Sequence, residues 1–157
     1  MAKTLWLLRH GDAEGHGRGP DFDRRLTERG EHQARAAGRG LSRLGVTFEL
    51  VFASPRVRAR ETARIACGEL GIEPILHEPL GGAFGADDAA ELIAATSEDC
   101  SLMLVGHEPG MSGLVAALTG GYVAMKKGGL AAIRLAGARG ELVLLLRPRE
   151  IELLAGG

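Results

Sequence analysis

The sequence predicts an α/β fold: a three-layer sandwich with a mostly parallel central sheet, an antiparallel edge and helices on both faces. Three observations carry this prediction. Short apolar runs alternate with longer segments whose small and apolar residues recur at helical spacing, the pattern of strand–helix–strand units. Several of those runs break off abruptly into polar residues, as Leu5 to Leu8 does into Arg9, His10, Gly11 and Asp12. Near the C-terminus two apolar runs flank a Gly-Ala-Arg-Gly turn, which reads as a hairpin.

Taken in order, Leu5 to Leu8 is a short buried strand. The stretch "GDAEGHGRGPDFDRR" that follows from Gly11 holds four glycines and a proline with no apolar period, so it is a loop. Loops of this length usually serve a site. Thr27 is placed to cap a helix running to Leu44, with Ala34, Ala37, Leu41 and Leu44 on one face and Gly45 as its stop. "FELVFASP" is the second strand, ended by Pro55. A helix is expected from Arg56 to Leu70, stopped at Gly71. "EPILHE" reads as a weak third strand, and "DDAAELIAAT" as a helix whose opening acids suit its N-terminal dipole. "SLMLVGH" is the fourth strand, Met111 to Leu118 the next helix, and Leu130 to Pro148 the hairpin. No repeat or low-complexity block divides the chain, so residues 1–157 are expected to form one domain.

Composition narrows the function. A hydrophobic content of 45% with 25% charged residues fits a soluble globular protein. The formal net charge of −1 offers no polycationic surface for nucleic acid, so anionic ligands must be caught locally. No apolar run reaches the ~18 residues needed to cross a bilayer, and Thr4 to Leu8 is too short for a signal peptide. A cytoplasmic location with no membrane partner is expected. Cys67 and Cys100 stand far apart and in no CxxC pattern, and both read as small buried hydrophobes.

Three predicted strands finish in chemistry: Leu8 into Arg9-His10-Gly11, Phe52 into Ser54-Pro55 and then Arg58, and Val105 into Gly106-His107-Glu108. In an open α/β sheet the ends of parallel strands line one crevice, where ligands bind. Singly, a histidine at a strand end or an arginine at a helix start is more often structural or solvated. Two histidines and two arginines brought to one crevice are a site.

The residues that carry this also resemble a known family. "LLRHGDAE", "LTERG" at Leu26 to Gly30, "SPRVRARETA" at Ser54 to Ala63 and "VGHEPGMS" at Val105 to Ser112 resemble, in order, the histidine phosphatase (phosphoglycerate mutase-like) superfamily. The short length and "KKGGLAAIRL" at Lys126 to Leu135 are most similar to its SixA-type phosphohistidine phosphatases. The resemblance implies that His10 is the nucleophile, passing through a covalent phosphohistidine that water hydrolyses. Its attacking nitrogen must be unprotonated; the nearby arginines are expected to push it below its usual ~6.5 and a backbone carbonyl to hold the other ring N–H. Gly11 suits such a close backbone approach. Arg9 and Arg58 would clamp the phosphoryl oxygens with their paired donors, and His107 would supply a further one. Arg56 and Arg60 read as solvated helix residues or as steering charges at the rim.

Two departures from the mutase branch stand out. That branch carries an asparagine six residues after its nucleophile, where this chain has His16. A general acid in the loop after the third strand is also not evident. "HEPLGGAFGADDAAE" offers Glu78, Asp87 and Asp88; the two aspartates suit a helix start, where the dipole favours the ionised form, so Glu78 is the candidate. A phosphoramidate substrate would need less help, because its leaving imidazole is basic. With little chain to spare for a lid, the site is expected to be open, suiting phosphohistidine on a protein such as a histidine phosphotransfer domain. A small phosphoester is the alternative substrate, and a weakly active phosphoprotein-binding module the alternative of another class. Lys126 and Lys127 read as a solvated pair before a contact for an acidic partner.

Other chemistries fail on the residues. A cysteine phosphatase needs Cys-x5-Arg, but Glu73 and Gly106 stand at those positions. "HGDAEGH" matches no standard metal-ligand spacing, and no metal or other cofactor is expected. "DFD" at Asp21 to Asp23 resembles an aspartate phosphatase motif but follows "GHGRGP" rather than an apolar strand. No GxxxxGK[ST] loop is present.

Overall fold

The computed structural model describes residues 3–17, 19–137 and 139–156. Six strands form one sheet: β1 (Lys3–Arg9), β2 (Leu50–Ala53), β3 (Ile75–Leu76), β4 (Ser101–Gly106), β5 (Leu130–Ala136) and β6 (Arg139–Leu146). The helices are α1 (Glu28–Arg43), α2 (Val57–Leu70), α3 (Ala86–Ala94), α4 (Gly110–Thr119) and α5 (Pro148–Leu154). Sheet order is β3-β2-β4-β1-β5-β6, with the first four strands parallel and β5 antiparallel to both its neighbours. This is the α/β architecture expected from the alternation.

The central strands β1 and β4 are apolar on both sides because both faces are covered. Trp6, Leu8, Met103 and Val105 pack with the alanines of α1 and α2 and with Ile151 of α5. Leu5, Leu7, Leu102 and Leu104 pack on the opposite face with Ala89 and Leu92 of α3 and Leu114 and Val115 of α4. The sheet is thereby held rigid from both sides, with the C-terminal ends of β1, β2 and β4 left to carry polar residues.

Thr27 caps α1 as the sequence indicates: its Oγ1 accepts the Gly30 N–H at 3.1 Å and donates to Asp12 Oδ2 at 2.8 Å. Ala34, Ala37 and Leu41 are fully buried, but Leu44 lies beyond the helix at its C-terminal cap and is 43% exposed. The third strand is shorter than "EPILHE": only Ile75 and Leu76 pair with β2, on the outer edge, between Pro74 and Pro79. Pro74 has no N–H to add to the ladder, and beyond Leu76 a single bond, His77 N–H to Ala53 O at 2.8 Å, precedes the turn at Glu78. The hairpin stands as expected, although Ala138 of its turn lies outside the described residues. Its continuation is a helix that the strand pattern hid: Pro148 opens α5, Glu150 accepts the Arg147 N–H at 3.0 Å, and Ile151 is buried. Cys67 is buried as expected, but Cys100 is only half-buried, just before the first residue of β4. Among the described residues no helix is long and apolar enough to cross a membrane.

Candidate active site

Parallel pairing delivers the polar strand ends to one edge of the sheet. Arg9 lies opposite Gly106 and Ala53 opposite Val105, and the ladder extends one step further through His10 N–H to Gly106 O and Ser54 N–H to Val105 O, both 3.0 Å. The His10 and His107 rings consequently face each other with centroids 5.2 Å apart.

His10 is 5% exposed, and its Nδ1 lies 2.7 Å from the Gly11 carbonyl. A carbonyl only accepts, so Nδ1 carries the proton and Nε2 keeps its lone pair. Burial pushes the imidazole down to about 4; the Gly11 contact opposes this, and the charges of Arg58, Arg9 and Lys127 add to it. The direction agrees with the sequence reading, but burial ranks ahead of the arginines as its cause. His107 is pushed to about 3, again first by burial and then by His10, Arg58 and Arg56. Both rings are therefore neutral near pH 7.

Gly11 holds the loop by contacts that leave no room for a side chain. Its N–H donates to Thr62 Oγ1 at 3.0 Å, and Thr62 Oγ1 donates to the Arg58 carbonyl at 2.7 Å, tying the loop after β1 to α2. A Cβ at Gly11 would stand 2.6 Å from the Gly30 carbonyl oxygen, and one at Gly30 would collide with the Asp12 carbonyl. Thus the glycines of "RHG" and "TERG" meet where the start of α1 packs on the loop that follows His10. Gly11→Ala is expected to destabilise the fold by about 1–3 kcal/mol, the usual size of overpacking, and to lower turnover by shifting His10. Thermal unfolding alongside kcat/KM reads both effects.

Arg58 is 7% exposed and does not stand free. Its Nη1 donates to the Asp21 carbonyl at 2.9 Å and its Nη2 to Asp21 Oδ2 at 3.1 Å. Arg56 Nη1 reaches the same Oδ2 at 2.7 Å, and Arg24 Nη1 reaches Oδ1 at 2.9 Å. Hydrogen bonding by Arg24, joined by the Arg58 charge, holds the Asp21 carboxyl down at about 2. Arg56, read as a solvated or rim residue, is half-buried and also donates through Nε to Gly81 O at 2.7 Å. Arg60 is exposed. Arg9 Nη1 donates to Met125 O at 2.8 Å. His107 Nε2 contacts Ser54 Oγ at 2.7 Å, and that oxygen accepts the Arg56 N–H at 3.1 Å. Among the described residues, four buried side-chain nitrogens lack a partner, and three are Arg9 Nε, Arg58 Nε and His107 Nδ1. Buried polar groups are normally satisfied, so nitrogens left over on three neighbouring residues are suited to an oxyanion.

Glu78 is not brought into this cluster. It is exposed at the start of a 3-10 turn (Glu78–Gly81) and has no hydrogen bond or ion pair among the described residues. Asp88 Oδ2 accepts the Gly85 N–H at 2.9 Å, the helix-start role expected of it, and Asp87 is exposed. His16 is exposed on the loop and lies 3.7 Å from Asp21 Oδ1. The sequence reading missed Asp21, whose place three residues before Arg24 in a glycine-rich loop was the available signal. It also missed Thr62. Beside His107 opens a cavity of about 530 Å³ lined by Leu80, Phe84, Met111 and Ala117, with Glu108 also lining it. Both Glu108 oxygens accept from Ser112, its N–H at 2.7 Å and its hydroxyl at 2.6 Å. Among the described residues no group of three His, Cys, Asp or Glu side chains could hold a metal ion.

The sequence model of the histidine phosphatase superfamily (branch 1) matches residues 5–88, more than half of the chain. The chain belongs to that superfamily. An uncharacterised protein of Picosynechococcus sp. is 35% identical over 92% of this chain and 96% of its own length. The structure of the protein histidine phosphatase SixA complexed with tungstate superposes with a TM-score of 0.82 at 25% identity, covering 94% of this chain and 99% of that one. A SixA protein of Agrobacterium tumefaciens gives 0.80 at 27% identity, covering 92% and 98%. This histidine phosphatase is thus of the SixA type, with the phosphoglycerate mutase-like architecture that the four sequence blocks imply.

Proposed function

We propose that this histidine phosphatase removes the phosphoryl group from phosphohistidine on a protein partner, such as a histidine phosphotransfer domain, without a metal ion. The observation that carries the reading is the buried, neutral His10, whose Nδ1–H is fixed on the Gly11 carbonyl at 2.7 Å beside Arg9 and Arg58. Nε2 attacks phosphorus, the substrate's P–N bond breaks, and the leaving imidazole takes its proton from solvent. Water then attacks the phosphorylated His10, the P–Nε2 bond breaks, and inorganic phosphate leaves with Nε2 regaining its lone pair. Charge builds on three phosphoryl oxygens, and the donors assigned to them are Arg9, Arg58 and His107, with Gly11 setting the nucleophile's position.

The distribution of carboxyl groups favours a phosphoramidate. Asp21, the carboxylate on Arg58, is held at about 2 and has no proton to give near pH 7. Glu78 is exposed and outside the cluster, and Glu108, beside His107, has both oxygens engaged as acceptors of Ser112. An alkoxide leaving group needs an acid, whereas imidazole protonates readily.

One observation favours a second reading, a small-molecule phosphomonoesterase. The apolar cavity of about 530 Å³ beside His107 falls in the range of small-ligand sites, about 300–1,000 Å³. A substrate panel separates the two. Release of phosphate from a phosphorylated histidine phosphotransfer domain is expected to exceed that from sugar phosphates and aryl esters in kcat/KM, and to survive dialysis against EDTA. Faster turnover of the esters would replace the first reading with the second, and loss of activity in EDTA would refute the metal-independent mechanism.

A further inference from the structure

A second pocket adjoins the proposed phosphoryl site at Arg9, which lines it. It is about 430 Å³ and is lined by Arg9, Arg29, Lys126, Lys127 and Arg149, with Asp12 as its one carboxylate. This concentration of cations belongs to a chain whose formal net charge is −1, so it is local and not a reflection of overall composition. It is assembled from distant segments: the end of β1, the first turn of α1, the turn before β5 and the first turn of α5.

The cations are only partly neutralised. Lys127 Nζ lies 3.6 Å from Asp12 Oδ1, and Arg149 Nε lies 3.7 Å from Glu150 Oε2. Among the described residues, Arg29 and Lys126 have no ion-pair partner, and both are exposed. The turn that presents the lysines is fixed by backbone bonds to the nucleophile strand: Gly128 N–H donates to His10 O at 2.9 Å, and Arg9 N–H donates to Gly129 O at 3.1 Å. Lys127 is close enough for its charge to act on His10. Arg9 is shared between the pocket and the phosphoryl clamp. A ligand seated here is therefore adjacent to the reacting phosphoryl group.

We propose that this pocket is a second anion subsite, which holds carboxylates of acidic residues flanking the phosphorylated histidine of a protein substrate. The proposal rests on the phosphohistidine reading above and adds what the substrate must carry beside the phosphoryl group. Exposed lysine and arginine heads on the pocket rim suit carboxylates on a polypeptide, which arrive in several places at once. Each exposed pair contributes little, so the preference comes from their sum.

The test uses two phosphohistidine peptides of equal length, one flanked by Asp and Glu and the other by Asn and Gln, with phenyl phosphate as a control lacking a second anion. The enzymes are the wild type and Lys126→Ala/Arg149→Ala, which truncates two exposed side chains and leaves Arg9 and Lys127 in place. The wild type is expected to favour the acidic peptide by about tenfold in kcat/KM, an advantage that shrinks in high salt. In the double variant that advantage falls to about twofold or less, while turnover of the neutral peptide and phenyl phosphate stays at the wild-type rate. Equal turnover of both peptides by the wild type, or an equal loss on all three substrates in the variant, overturns the subsite and leaves the phosphohistidine reading standing. Turnover of phenyl phosphate with neither peptide hydrolysed overturns both.

Discussion

His10→Ala is expected to lower kcat/KM by about 10⁴-fold or more, the scale on which nucleophile removal acts in covalent mechanisms. The same change is expected to abolish any acid-labile phosphoprotein intermediate trapped during turnover. Substrate binding should survive, because Arg9, Arg58 and His107 are supported independently of the imidazole, through Met125, Asp21 and Ser54. A variant that kept the trapped label would place the nucleophile elsewhere. One that lost activity together with its fold is distinguished by its melting temperature.

The pH dependence follows from the same residue. His10 falls from its usual 6.5 to about 4, so the acid limb of kcat/KM is expected near pH 4 rather than 6.5. Stability moves in the same direction. Between the usual 6.5 and the folded values of about 4 for His10 and 3 for His107, the unfolded chain binds more protons than the folded one. Stability therefore rises with pH through that window and is lost as the medium is acidified through it, with no further loss from these two groups below the folded values. His10→Ala removes one of the two contributions, so the variant should lose less stability than the wild type between pH 6.5 and pH 4. Melting curves at several pH values test the sign.

How much of this was legible depends on the range over which each feature is determined. "RHG", the Thr27 cap and the strand-end histidine are local patterns, and the parallel sheet makes their convergence almost automatic once the strands are recognised. Residues 148–154 were hidden for the opposite reason. α5 is short and carries one buried residue, Ile151, whose burial depends on packing against α1 over a hundred residues away in sequence. The ranking of burial above arginine charge at His10 was likewise out of reach, since desolvation is a property of everything packed around the ring. Asp21 illustrates the limit most clearly. Its spacing from Arg24 is a local signal, but nothing in the sequence shows that Arg56 and Arg58, more than thirty residues away, will close on it as well.

That convergence sets the last expectation. Arg58→Ala should cost on the order of 10²–10³ in kcat/KM, the usual effect of removing one charge-stabilising donor from a preorganised site. Arg58→Lys should recover little of it. The guanidinium uses Nη1 and Nη2 on Asp21 at 2.9 and 3.1 Å while Nε is left buried and unpartnered, and a single ammonium cannot hold the anchor and offer that second direction. Asp21→Asn keeps the shape but removes the charge that gathers Arg56 and Arg58. A smaller loss, about tenfold, is expected, because the carbonyl contact to Arg58 remains. If Asp21 acts by aiming Arg58, adding Asp21→Asn to Arg58→Ala should cost almost nothing further, as coupled residues are not additive. Additive losses in that cycle would mean that Asp21 contributes by a separate route, and that Arg58 is oriented by its burial in α2 alone.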